Sequence, residues 1–230
     1  MKKSRENPVA GVNQTTIISE VFRTIRTNLL YSKVYRNVKS ILFTSAEPGE
    51  GKSLIIRNTA VALAQTGKKV IVLDCDLRKP TQYALFKKPN KGLTNFLYQE
   101  CSLADIVQDT DIPNLRLVTS GPTLRTPAEL LDSSKLTEVI SALKCQADYV
   151  LVDSPPVLPV TDACILGSKV DGILLVVGIG RVKPEMAQRA KEQLEEANGN
   201  ILGLIINRSE TYTGQRAYYH YYEEFAKAAN

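Results

Sequence analysis

The 230-residue chain has no tryptophan, one histidine and four cysteines. Cys75, Cys101, Cys145 and Cys164 form no C-x-x-C pair, and with a single histidine they do not make a zinc site. They read as four reduced thiols in a reducing compartment. Long apolar runs are missing too. The longest, GILLVVGIG at 172–180, is about half the length a spanning helix needs. The opening MKKSRENPV has no apolar stretch behind its charges, which excludes a signal peptide. A cytoplasmic protein is expected, with any membrane association peripheral. Acidic residues are scarce in one place only. Residues 1–40 hold two of them against eight basic ones, whereas residues 41–230 hold 22 against 21. A neutral body excludes a nucleic-acid protein with basic patches throughout. The basic start is expected to have its own job. A hydrophobic share of 43% and a charged share of 23% exclude disorder, and the length suits one α/β domain.

Residues 1–14 read as a flexible basic arm. From about Thr16 to Tyr31 the pattern is helical, with Ile18, Val21, Phe22, Ile25 and Leu29 on one face. Glu20, Arg23 and Arg26, three apart, form a stripe on roughly the opposite side. Strands are predicted at 40–45, 68–74, 114–120, 148–153, 172–177 and 201–207. Helices are predicted between them, including about 53–66, stopped by Gly67, and 183–197. Residues 78–92 read as a basic loop. Continuous β-branched runs alternating with helices predict an α/β fold, a mostly parallel central sheet flanked by helices on both faces. The tail 211–230 is different: five of the ten tyrosines lie in the last nineteen residues, four of them in AYYHYYEEF.

Between the first strand and the next helix lies Ala46-Glu47-Pro48-Gly49-Glu50-Gly51-Lys52-Ser53. It matches the phosphate-binding loop G-x-x-x-x-G-K-[ST], with alanine in the first position. Gly49 and Gly51 permit backbone angles that let successive N–H groups converge on a phosphate. The helix start at Ser53 and Leu54 adds its partial positive charge. Lys52 suits the β- and γ-phosphates of ATP, and the Ser53 hydroxyl suits Mg²⁺. Two further strands end in acids: VIVLDCDLR places Asp74 and Asp76, and YVLVDSPP places Asp153. Ligands of open α/β sheets bind outside the carboxyl ends of the strands, so loop and acids should meet at one edge. Three carboxylates beside a triphosphate point to Mg²⁺, with one of them available as a base. A strand-end aspartate can also be a plain helix cap.

Loop, acids, stripe and tail in this order resemble the bacterial tyrosine kinases, a family with the P-loop NTPase fold and Walker A, A′ and B motifs. Here these motifs look like Ala46–Ser53, Val70–Arg78 and Val150–Pro156. The resemblance implies that Gly49, Glu50, Gly51, Lys52, Ser53 and Leu54 hold the phosphates. Ser53, Asp76 and Asp153 would hold Mg²⁺, Asp153 directly or through water. Asp74 would accept the proton of an incoming tyrosine, and Asn207 and Arg208 would lie at the adenine. Glu20-x-x-Arg23-x-x-Arg26 resembles the family motif that assembles subunits into a ring. Without the resemblance it would read as a solvated helix face. Tyr218, Tyr219, Tyr221 and Tyr222 resemble the family's autophosphorylation cluster, modified in trans; aromatic docking on a partner is the plainer reading. The resemblance further implies other protein tyrosine substrates and a role in capsular or exopolysaccharide biosynthesis. It also implies a transmembrane activator whose cytoplasmic C-terminal segment recruits the kinase to the membrane.

Two rivals share parts of the pattern. Partitioning-type ATPases carry a signature lysine directly after the first small residue of the loop, where this chain has Glu47. A non-catalytic switch, in which ATP drives assembly only, shares the loop but gives the tyrosine-dense tail no use. An H-R-D or D-F-G motif is absent, which excludes a eukaryote-like kinase.

Overall fold

Strands that are apolar on both faces must be covered on both, and this decides the architecture. The computed structural model describes residues 17–123 and 126–208. The predicted arm at 1–14 and the tail at 211–230, with Tyr218, Tyr219, Tyr221 and Tyr222, lie outside the described residues. Seven strands are described: β1 (Ser40–Ser45), β2 (Val70–Asp74), β3 (Val107–Asp109), β4 (Leu115–Val118), β5 (Tyr149–Asp153), β6 (Gly172–Gly178) and β7 (Ile201–Asn207). They form one sheet in the order β3-β4-β2-β5-β1-β6-β7. All neighbours are parallel except β3 with β4. The helices are α1 (Ile17–Tyr31), α2 (Lys52–Ala64), α3 (Gln82–Leu85), α4 (Leu93–Leu97), α5 (Leu103–Ile106), α6 (Pro127–Asp132), α7 (Ser134–Gln146), α8 (Asp162–Gly167) and α9 (Pro184–Glu196).

Side chains alternate along each strand between two cores. Leu42, Ile71, Leu73, Val150 and Val152 enter a core with α4, α6, α7, α8 and α9. Ile41, Phe43, Val70, Val72 and Leu151 enter the other, with α1 and α2. Each fully buried Leu, Ile or Phe stabilises the fold by about 1.5–3 kcal/mol. Helix α2 is buried along most of its length, from Ile55 to Ala64, because it lies between the sheet and α1. It ends as predicted near Gly67, whose φ of +82° suits glycine.

Three expectations change. The edge strand β3 is antiparallel and falls where no strand was predicted. The basic loop 78–92 contains the short helix α3, because Asp74 accepts the N–H groups of Thr81 and Gln82 and starts a turn there. Val21 is 51% exposed, so among the described side chains the inward stripe of α1 is Phe22, Ile25 and Leu29, and the Ile18 side chain lies outside those described. At the amino ends of the strands, Asp171 fastens the sheet. Its Oδ2 accepts the N–H groups of Lys39 and Ser40, and its Oδ1 pairs with Lys144 Nζ at 2.6 Å. Among the described residues no helix is long and apolar enough to cross a membrane. All four cysteines are free thiols.

Candidate active site

The strand order places β5 between β1 and β2, so the turn after β1 and the acids ending β2 and β5 share one sheet edge. Asp74 and Asp153 are register partners on adjacent parallel strands, and their side chains therefore project from the same face. Alternation turns both toward the α2 side, where the phosphate-binding turn delivers Lys52 and Ser53. Gly51 caps α2 with a φ of +94°, and a Cβ there would meet Asn207 Nδ2 at 2.4 Å. Glycine is required on both counts.

The turn is held from outside. The Glu50 carboxylate is 1% exposed and points inward. Its Oε1 accepts from the N–H of Glu47 and its Oε2 from the N–H of Gly178, both at 2.7 Å. Only the backbone of Glu50 is left to serve a phosphate. Asn207 Nδ2 donates to the Glu50 carbonyl at 2.7 Å, and Arg208 Nη2 to the Gly49 carbonyl at 3.1 Å. Both residues proposed for the adenine thus brace the loop. Leu54, on the first turn of α2, is exposed.

The acids are tightly bound. Lys52 Nζ lies 3.5 Å from Asp76 Oδ2. Asp76 Oδ1 accepts the N–H of Lys79 at 2.9 Å. Asp74 is fully buried; its Oδ1 accepts from the N–H of Asp76, and its Oδ2 from those of Thr81 and Gln82. A carboxylate has about four acceptor positions, so roughly one remains open. Burial pushes the Asp74 carboxyl well above the usual range, and the Asp153 charge adds to this. The backbone N–H groups of Gln82 and Asp76 oppose the rise. Burial also raises Asp153, while Lys52, the Gln82 amide and the Ser53 hydroxyl pull it back.

Sequence reasoning missed two partners. Gln82 Nε2 donates to Asp153 Oδ2 at 2.6 Å and to the Ser53 carbonyl at 3.0 Å. Arg78 makes a two-pronged pair with the buried Asp162, both distances 2.9 Å. These contacts span 71, 29 and 84 residues, and no local spacing announces them. The predicted stripe is elsewhere, on α1, where Arg23 pairs with Glu20 and Arg26 is partly exposed. A cleft of about 530 Å³ lies at the opposite, amino pole of the sheet, lined by Tyr31, Lys33, Arg36, Lys68 and Asp148 among others. It is remote from Asp74, Asp76 and Asp153.

Among the described residues no three His, Cys, Asp or Glu side chains could hold a metal alone. Mg²⁺ keeps several waters and leans on substrate phosphates, so it asks for few protein ligands. The buried, unpartnered Oδ1 of Asp153 is a free acceptor for such a group.

A family model for the AAA domain matches residues 38–181. The chain is 42% identical to the tyrosine-protein kinase YwqD of Bacillus subtilis over 206 residues, 89% of this chain and 87% of that one. It is 36% identical over 225 residues to the putative tyrosine-protein kinase CapB of Staphylococcus aureus, 97% and 99% of the two chains. The crystal structure of the chimerical protein CapA2B2 superposes with a TM-score of 0.81 at 36% identity, covering 86% of this chain and 87% of that one. With an ATP-binding loop and paired acids at one edge of a P-loop sheet, the chain belongs to the bacterial tyrosine-protein kinases.

Proposed function

We propose that this tyrosine kinase phosphorylates its own C-terminal cluster, Tyr218, Tyr219, Tyr221 and Tyr222, in trans within a homo-oligomeric ring. The observation that carries the catalytic part is the convergence of Lys52, Asp74, Asp76 and Asp153 beside a braced phosphate loop. The loop amides from Gly49 to Leu54 bind the phosphates, and Lys52 moves from Asp76 onto the β- and γ-phosphates. Ser53, Asp76 and Asp153 would hold Mg²⁺, and the ion would supply neutralisation of the phosphate charge. The tyrosine oxygen forms a bond to the γ-phosphorus, the bond to the bridging oxygen breaks, and ADP leaves. Asp74 takes the phenolic proton at its one open acceptor position. Because the transition state is loose, that proton moves late, and holding the hydroxyl in line matters more than basicity.

The chain is read as a single kinase domain, with the basic arm and the tail as appendages. Glu20, Arg23 and Arg26 assemble the ring. A transmembrane activator, through its cytoplasmic C-terminal segment, recruits and stimulates the kinase at the inner membrane face, and the output is control of capsular or exopolysaccharide synthesis. Asn207 and Arg208 border the adenine. Each phosphotyrosine adds roughly −1.5 to −2 charges, so a fully modified tail opposes ring contacts by repulsion.

The test is incubation with ATP and Mg²⁺ followed by anti-phosphotyrosine detection. Wild type should label strongly, and Lys52→Met and a variant with the four tail tyrosines changed to Phe should not. Equal signal in all three would overturn the reading.

A further inference from the structure

Gln82 belongs to none of the motifs, yet its side chain lies at their junction. It is fully buried. Its two amide hydrogens go to Asp153 Oδ2 and to the Ser53 carbonyl. Both partners are acceptors, which fixes the orientation of the amide. Its backbone N–H reaches Asp74 Oδ2 at 3.1 Å. One residue thus ties the start of α2 to the acids that end β2 and β5. Two buried oxygens of the Gln82–Asp153 pair, Gln82 Oε1 and Asp153 Oδ1, have no hydrogen-bond partner. Buried acceptors left unpaired are costly, and beyond the nearby Ser53 hydroxyl there is room in this pair for an incoming donor. Water held by a divalent cation points its hydrogens outward and is such a donor.

We propose that Gln82 is a positioning residue of the cation site. Its amide locks the rotamer of Asp153, and its Oε1 joins Asp153 Oδ1 in accepting from cation-bound water. The inference rests on the placement of Mg²⁺ beside Ser53 and Asp153 proposed above. The residue type follows from the neighbours. Glutamate would set a fourth carboxylate against Asp74, Asp76 and Asp153, and methionine would match the length but donate nothing.

The test reads ADP affinity of the full chain, by calorimetry, at stepped Mg²⁺ concentrations. Gln82→Met adds no charge, so its affinity without Mg²⁺ should fall far less than its affinity with Mg²⁺; Gln82→Glu should weaken both, because its carboxylate repels the phosphates. The Mg²⁺ concentration giving half of the tightening should rise about 10–100-fold, the usual cost of losing an outer-sphere partner. An unchanged Mg²⁺ midpoint in a folded variant overturns the proposal. So does failure of both variants to fold, which would assign Gln82 to the core alone. Asp153→Asn separates the two levels. If it loses Mg²⁺ dependence while the Gln82 variants keep theirs, the cation site stands and the role of Gln82 falls. If Asp153→Asn keeps full Mg²⁺ dependence, the cation site itself is misplaced.

Discussion

Asn207, the last residue of β7, donates its side-chain N–H to the carbonyl of Glu50, 157 residues earlier, at 2.7 Å. The end of one strand thereby supports the turn that follows another. Asn207→Ala removes the strut and should weaken ADP binding about tenfold, equivalent to roughly 1.4 kcal/mol. Gly51→Ala should weaken it further, since its Cβ meets Asn207 Nδ2 at 2.4 Å and its φ is +94°. The double variant should recover the part due to the clash and keep the part due to the dihedral angle. ADP titration of the three variants checks this.

Glu50→Ala leaves the N–H groups of Glu47 and Gly178 without their acceptor. Each loss should cost about 1–3 kcal/mol. Urea unfolding of the ligand-free protein should show a lower midpoint. Glu50→Gln, which keeps one acceptor oxygen, should lose less.

Arg78→Met leaves Asp162 buried and unpaired. Breaking such a pair costs about 3–5 kcal/mol, and the low end applies because the Arg78 side chain is 37% exposed. Changing both residues, Arg78→Met with Asp162→Leu, should restore much of the stability. A thermal melt series measures it.

Asp171 sets an acid limit. Burial tends to raise its carboxyl, but the Lys144 ammonium and the N–H groups of Ser40 and Lys39 outweigh this and hold it below the usual carboxylate range. A depressed carboxylate contributes stability above its unfolded pKa of about 3.9, and the contribution is lost as pH falls through the folded value. Asp171→Asn should therefore lower stability at neutral pH and flatten its fall below about pH 4. Denaturant midpoints of both proteins between pH 7 and pH 3 decide the matter.

Arg23→Ala combined with Arg26→Ala should shift the protein to monomer in sedimentation velocity, without loss of fold, because Arg23 is exposed, Arg26 is partly so, and neither belongs to the Phe22–Ile25–Leu29 stripe. Unchanged sedimentation would leave the stripe an ordinary solvated face.

What the sequence showed followed from local pattern. Continuous β-branched runs marked six strands, and the Gly49–Ser53 turn announced the loop because its chemistry depends on adjacent backbone angles. Asp74 and Asp153 were legible as strand-end acids. Their in-register pairing depends on strand order, which places β5 between β1 and β2. Strand β3 escaped because three residues, Val107 to Asp109, are too few to show a period. Gln82, Asp162 and the inward turn of Glu50 escaped because their partners lie 71, 84 and 128 residues away.

The bracing of the phosphate turn by Glu50, Asn207 and Arg208 has a kinetic side. A loop shaped by its own neighbours meets its entropy cost during folding rather than at each encounter with nucleotide. Nucleotide should then dock on a preformed cradle at a rate set by collision and orientation, with little lag for loop closure. For a tyrosine kinase, which exchanges ADP for ATP in every turnover, a cradle that needs no rebuilding keeps recapture fast.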